Sequence, residues 1–225
     1  MSIQKYKTKL VSKESISDVV FKYILERPKD FTFAPGQYIN IPVSKNTRRS
    51  YSIASSISAE TVDLIIDTFP NGLGSNFFKN LQLGKEFEFL GPLGHMYIQN
   101  SDLTFGGINF ISTGTGIAPF LSIFDYLDQN KYKGKVFNLY SEKFKKDLIQ
   151  KYDYKYLKLS SIITLTRDSD SCYLNGRVSS YFDKLSIDSN SLYFVCGNSK
   201  MVEDACKYLS TNGISKDQIR REVYY

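Results

Sequence analysis

The chain has no tryptophan and a single histidine, His95. A Ser/His/Asp hydrolase is disfavoured, because its base would have to be His95, which stands next to a Gly-Pro turn and reads as a surface residue of a β-domain. Cysteine is sparse: Cys172, Cys196 and Cys206 form no C-x-x-C pair and have no histidine at metal-ligand spacing. This excludes the usual zinc and iron–sulfur ligand sets, and no metal site is expected. The odd, low count suits a reducing compartment, so a cytoplasmic protein is expected. The opening MSIQKYKTKL is charged and lacks the apolar core of a signal peptide. One long charge-free stretch, 103–124, contains four glycines and a proline. It reads as buried strand, turn and helix, and no integral membrane segment is expected. There is no internal repeat and no low-complexity tract. The net charge of +6 is a modest excess that favours an acidic partner or anionic ligands and is too diffuse to argue for nucleic acid.

What is present is an ordinary globular composition, 42% hydrophobic and 23% charged, over 225 residues. That length suits one large or two ordinary domains, each with its own core. Up to about residue 100, short runs rich in β-branched and aromatic residues alternate with turns. Examples are Val19–Phe21, Tyr38–Ile41 after the Pro35-Gly36 turn, Tyr51–Ile53, Thr61–Thr68 and Phe87–Leu90. Pro42 is expected to limit its strand, and Gly91–Gly94 to form a turn. With one helix near Asn76–Leu81, this predicts an antiparallel β-barrel over residues 1–102.

Beyond it, apolar runs alternate with helical stretches. Strands are expected at Phe110-Ile111, Lys135–Tyr140, Ile162–Leu165, Leu192–Cys196 and Ile219–Tyr224. Helices are expected at Ile117–Gln129, Lys146–Tyr156, after Gly176 and at Ser199–Leu209. The pattern is that of a doubly wound parallel sheet with helices on both faces, over residues 103–225.

Four short clusters could carry chemistry, and each also has a plain structural explanation. In Ile108–Ser122, INFISTGTGIAPFLS, a strand runs through Thr113 into Gly114-Thr115-Gly116 and a helix start, which suits either a phosphate or a simple strand–helix connection. It is not the G-x-G-x-x-G dinucleotide fingerprint. In Arg49-Ser50-Tyr51-Ser52, the arginine and tyrosine share one strand face and Ser52 points to the other. The guanidinium can clamp a diphosphate and the ring can lie on a planar ligand, or the stretch is a polar edge strand. In Gly72-Leu73-Gly74-Ser75, Ser75 is a plausible N-cap whose neighbouring N–H groups could receive an anion. Cys196-Gly197 ends a strand that leads into a helix, where open α/β sheets bind ligands, although a lone cysteine there is more often a small core residue.

Taken in order, RSYSIASS, NGLGSNFF, GPLG, STGTGIAPF, VCG followed by Met201-Val202, and Glu222-Val223-Tyr224-Tyr225 resemble the ferredoxin–NADP reductase family, from Pro35-Gly36-Gln37 to the last residue. The resemblance implies an FAD-binding barrel and a nicotinamide-nucleotide domain. It implies that Arg49 pairs with the FAD diphosphate, Tyr51 packs along the flavin, Ser52 sits near the hydride-accepting nitrogen, and Ser50, Gly72, Gly74 and Ser75 complete that site. It also implies that Thr113, Gly114, Thr115, Gly116 and Gly197 approach the nicotinamide nucleotide, with Cys196 beside the hydride-carrying carbon. Glu222 would orient groups or handle a proton. Tyr224 or Tyr225 would cover the flavin as a gate, since plant-type members end at the tyrosine that matches Tyr224 and bacterial-type members end in two aromatics.

Thr166-Arg167 and Arg177 resemble the 2′-phosphate clamp of NADP-using members, because two guanidiniums suit a phosphate dianion. A similar Gly-Arg also occurs in NAD-using relatives. The implied activity is hydride transfer between NADP(H) and FAD, with single-electron exchange to an acidic carrier, ferredoxin or flavodoxin, by a monomeric enzyme. The competing readings are an NADH-dependent reductase component of an oxygenase or cytochrome system, and a non-catalytic flavin-binding module.

Overall fold

The computed structural model describes residues 3–69, 71–150 and 153–224. It divides into two compact units, residues 1–97 with 118–126, and residues 98–117 with 127–225. The expected border at 102/103 falls inside the 3₁₀ turn Asn100–Thr104.

The first unit is a six-stranded antiparallel sheet built from β1 (Gln4–Ser15), β2 (Val20–Glu26), β3 (Tyr38–Ser44), β4 (Thr47–Ser52), β5 (Thr61–Asp67) and β6 (Glu86–Leu93), in the order β4-β3-β6-β1-β2-β5. Alternation drives it: Tyr23 and Leu25 of β2, and Val62, Leu64 and Ile66 of β5, point into one core with Ile39, Ile41 and Phe89. The ends of the sheet are joined by the bridge Ile53–Leu64 and by Ala54 N–H donating to Asp63 O (2.8 Å), so the sheet curls on itself. Helix α1 (Leu73–Asn80) supplies Phe78 to that core. Two punctuation marks act differently from expectation. Pro42 lies inside β3, and the strand absorbs it by a register shift between Pro42 and Ser44. Gly91, Pro92 and Leu93 continue β6 through a cis Gly91–Pro92 bond instead of forming a turn. An edge position or a bulge tolerates proline, so neither residue has to end a strand.

The second unit holds β7 (Gly107–Thr113), β8 (Lys135–Glu142), β9 (Leu159–Leu165), β10 (Leu174–Asn175), β11 (Ser191–Asn198) and β12 (Ile219–Tyr224), all parallel, in the order β10-β9-β8-β7-β11-β12. β7 is buried along its whole length except at Thr113, as expected for a central parallel strand. On one face Ile111, Leu139, Tyr193 and Val195 pack against α3 (Ser199–Thr211) and the 3₁₀ segment Val178–Lys184. The chain builds outward from β7 to β10, then returns to lay β11 on the other side of β7. That reversal is a topological switch point, and a crevice opens there at the carboxyl ends of the strands.

The connections depart from strict β-α alternation. The expected helix Lys146–Tyr156 is absent over its described residues; only a 3₁₀ turn forms at Lys145–Asp147. The main chain there is held by tertiary partners: Ile149 N–H donates to the Tyr140 hydroxyl (3.4 Å), and Tyr156 and Leu157 N–H both donate to Asp128 Oδ1. Residues 118–126 of helix α2 (Ala118–Gln129) group with the first unit.

Candidate functional site

In the first unit, β4 presents Arg49, Ser50, Tyr51 and Ser52. Arg49 and Ser50 are exposed, Tyr51 is half-buried and Ser52 is buried. The Tyr51 ring stands edge-on to Phe78 (4.8 Å between centroids, 79°), which locks it against α1. A Cβ on Gly74 would overlap the Tyr51 hydroxyl and lie 3.5 Å from Arg49 Cγ, so the strand and the helix start meet because residue 74 is glycine. Burial pushes the Tyr51 phenol up to about 12, against a smaller opposing pull from Arg49. It stays neutral near pH 7.

The expected cap at Ser75 is corrected by the structure. The N-cap is Gly72, with no side-chain cap, and Ser75 is the third helical residue, its hydroxyl 3.5 Å from Asp67 O. Asn76 N–H to Gly72 O is the first helical bond, so the N–H groups of Leu73, Gly74 and Ser75 have no partner within the helix. Arg49, Tyr51, Gly72, Gly74 and Ser75 therefore share one place, with a guanidinium beside a helix N-terminus. That combination suits a diphosphate.

In the second unit a cavity of ≈ 590 Å³ opens at the strand ends. Of the expected residues, Thr113, Gly114, Thr115, Thr166, Arg167, Arg177 and Tyr224 line it. The stretch after β7 is a 3₁₀ turn, Gly114–Ile117, and α2 begins only at Ala118, one residue later than expected. The two glycines of this turn have different causes. Gly114 has φ +57, and a Cβ there would meet only Glu142 Oε2, at 3.8 Å, so its bare backbone borders open cavity. Gly116 sits behind the wall: a Cβ would come within 2.5 Å of the Cys196 carbonyl oxygen and 2.7 Å of its carbon. A glycine at 116 is thus demanded by packing of the turn on β11.

Cys196 is fully buried at the end of β11. Strand register sets Tyr140, Ser112, Cys196 and Glu222 side by side on one sheet face. Burial pushes the Cys196 thiol well up; the Glu222 carboxylate adds to this, and a hydrogen bond with Tyr224 opposes it. Cys196 is therefore a neutral thiol, a shape and a weak polar contact instead of a nucleophile. Gly197 follows Cys196 in β11. Tyr224 closes β12 opposite Asn198, and Tyr225 lies outside the described residues.

Among the cavity residues to which the sequence assigns no role are Asn198, Lys143 and Glu142. Asn198 caps α3 by accepting from Met201 N–H (3.0 Å), while its own Nδ2 donates to Thr113 Oγ1 (3.1 Å), which ties the end of β7 to the end of β11. An asparagine just before a helical period is a readable cap; its bond to Thr113, 85 residues away, is not. Glu142 closes β8 and Lys143 follows it, and both line the cavity. Their sequence context, Ser141-Glu142-Lys143, carries no motif. Glu142 is 9% exposed, and burial raises its carboxyl above the ordinary range, with the Lys143 N–H and the Tyr140 hydroxyl opposing and nearby Asp147 adding to the rise.

The wall carries Lys143, Arg167, Arg177 and Lys200 against Glu142 and Asp204. Lys200 is paired with Asp204 at 2.8 Å. Among the described residues, Arg167 and Arg177 have no ion-pair partner. A bare glycine turn and two unneutralised guanidiniums lining one cavity fit an elongated ligand with phosphates, such as a dinucleotide.

Comparison with known proteins agrees with both halves. Residues 7–98 match the model of the oxidoreductase FAD-binding domain, and residues 110–207 that of the oxidoreductase NAD-binding domain. Protein RfbI of Salmonella typhimurium is 28% identical over 201 residues, covering 85% of this chain and 59% of the relative. The toluate 1,2-dioxygenase electron transfer component of Pseudomonas putida is 26% identical over 190 residues, covering 81% of this chain and 56% of the relative. The chain thus spans less than two thirds of the length of these curated relatives. The structure of a ferredoxin NADP+ reductase from Neisseria gonorrhoeae with bound FAD and NADP superposes with a TM-score of 0.82 at 21% identity, over 98% of this chain and 99% of that one, a likeness of fold. Two family models in sequence, an antiparallel sheet followed by a parallel one, and strand ends arranged for a dinucleotide lead to one conclusion: the chain belongs to the ferredoxin–NADP reductase family of FAD- and NAD-binding oxidoreductases.

Proposed function

We propose that the chain moves electrons between NADP(H) and a one-electron protein carrier, with FAD as the relay. The observation that carries this reading is the cavity in which Gly114, Arg167 and Arg177 meet. Bound FAD would accept a hydride from reduced nicotinamide and release electrons singly, which the side chains cannot do. The chain's own part is placement. Arg49 and the start of α1 hold the FAD diphosphate. Tyr51, kept neutral and braced by Phe78, offers its ring to the flavin, and Ser52 is assigned the group nearest the hydride-accepting nitrogen. Gly114 lets the nucleotide approach the backbone, and Thr166, Arg167, Lys143 and Arg177 hold the adenosine end. Cys196, Glu222 and Tyr224 shape the place of the nicotinamide. The rows of cations favour a 2′-phosphate, hence NADP over NAD.

The net charge of +6 supports an acidic carrier such as ferredoxin or flavodoxin, with steering that fades in salt. We assign a monomer in the cytoplasm; among the described residues no helix is long and apolar enough to cross a membrane. The second reading, an NADH-dependent reductase component serving an oxygenase, is favoured by the relatives named for such systems.

One experiment separates them. Purified protein should be yellow and release FAD on denaturation. NADPH and NADH, each crossed with ferredoxin, flavodoxin and a cytochrome, should then give the fastest turnover with NADPH and an acidic carrier. Preference for NADH with an oxygenase partner supports the second reading, and protein that cannot be reconstituted with FAD sinks both.

A further inference from the structure

Glu142 is a carboxylate on the cavity wall that hydride chemistry does not use. Oε1 accepts the Lys143 N–H (2.7 Å) and Oε2 accepts the Tyr140 hydroxyl (3.2 Å). Tyr140, itself fully buried, is anchored in turn by the Ile149 N–H. The carboxylate is therefore held in one pose, with two of its roughly four acceptor sites used. The rest have no described partner, and a buried carboxylate with spare acceptors calls for a donor.

Its location limits which donor. Oε2 lies beside Gly114, at the bare turn. The Glu142 carbonyl accepts from Thr166 N–H (3.0 Å), so the residue stands between the glycine turn and the Thr166-Arg167 pair. In a dinucleotide lying along that wall, phosphates carry only acceptors and are repelled by a carboxylate. The donors of a dinucleotide are its ribose hydroxyls and, at its two ends, the adenine and carboxamide amino groups; the hydroxyls are the ones that flank the phosphates.

The geometry points to Glu142 as a specificity residue that accepts a ribose hydroxyl of the bound dinucleotide and opposes an added 2′-phosphate, a counterweight to Arg167 and Arg177. This rests on the reading that the cavity takes a nicotinamide dinucleotide. A carboxylate is the standard partner of a ribose 2′-hydroxyl in dinucleotide folds. Here it comes from the end of the second parallel strand and not from a recognisable motif.

The test is calorimetric titration of the FAD-loaded protein with NAD+, NADP+ and inorganic pyrophosphate, in wild type, Glu142→Ala and Glu142→Gln, with flavin spectrum and melting temperature as controls for folding. Loss of one charge-assisted bond should weaken NAD+ by about tenfold or more. NADP+ should weaken less or tighten, so that the NADP+/NAD+ affinity ratio rises about tenfold. Pyrophosphate should bind unchanged or tighter. NAD+ affinity within about twofold of wild type in a folded variant, an unchanged ratio, or parallel loss of pyrophosphate overturns the assignment. Wild-type protein that binds neither dinucleotide overturns the cavity reading itself, before any variant is made.

Discussion

The two units assemble their candidate sites in different ways. In the first, the residues come from two short stretches, Arg49–Ser52 and Gly72–Ser75, brought together where β4 meets the start of α1. In the second, they come from the ends of β7, β8, β9, β11 and β12, spread from Thr113 to Tyr224. A strand beside a helix start offers neighbours in sequence as neighbours in space. A parallel sheet gathers single residues from many strands, because all its carboxyl ends lie on one edge. The first kind of site is contiguous, and its one crowded glycine, Gly74, faces a side chain, the Tyr51 hydroxyl; in the second the crowded glycine, Gly116, faces main chain.

The sharpest break of that contrast is a pair of glycine substitutions. Gly116→Ala forces a Cβ against the main chain of Cys196, which cannot yield as a side chain would. We expect a loss of about 3 kcal/mol, which is a fall of roughly 6–12 °C in Tm, with loss of dinucleotide binding. Gly72→Ala meets nothing within 4 Å and swaps one uncapped helix start for another. It should cost about 0.5–1 kcal/mol. Equal melting temperatures for the two variants would remove the distinction.

Next in size, each ligand should answer to its own unit. Arg49→Ala should weaken FAD by roughly 10–100-fold and leave the titration of dinucleotide by flavin-reconstituted protein within a few-fold. Arg167→Ala should leave FAD in place and erode the preference for NADPH by about tenfold. An unchanged NADPH/NADH ratio takes Arg167 out of the clamp, and flavin retained at wild-type affinity does the same for Arg49.

The smallest effect concerns pH. The Glu142 carboxyl is raised by burial above its ordinary 4.5. The folded protein therefore prefers it protonated, and its contribution to stability is full below 4.5 and lost as pH rises through the raised value. Glu142→Gln should then raise Tm at pH 7 by a few degrees, with the gain shrinking toward pH 4.5. A gain that is constant across that range argues that the carboxyl titrates as in the unfolded chain.

Legibility followed the same division. The RSYS strand and the GLGS helix start were readable because period-2 alternation and glycine before a helix are local signals. The error at Ser75 was also local: the cap is one turn earlier, where glycine at 72 needs no side chain. The glycine turn after β7 was readable as a turn, yet its two glycines serve unlike ends, and only the approach of β11 reveals it. Glu142 and Lys143 carried no signal of their place in the cavity, and Asn198 was legible only as the end of a strand that leads into a helix, not as a partner of Thr113. The helix expected after β8 does not form over its described residues, where Tyr140 and Asp128 take the main-chain N–H groups of Ile149, Tyr156 and Leu157.

The sequence by itself determined the order of the two sheets, the strands that alternate, the turn at Gly114 and the family, since these depend on patterns within a few residues and on motif order. Tertiary structure alone decided which strand ends share a wall, that Gly116 is held by Cys196, that Cys196 is fully buried, and that a buried carboxylate stands among the arginines. Those facts depend on strand order and register, which place residues far apart in the chain within a few ångströms of one another and take them out of water.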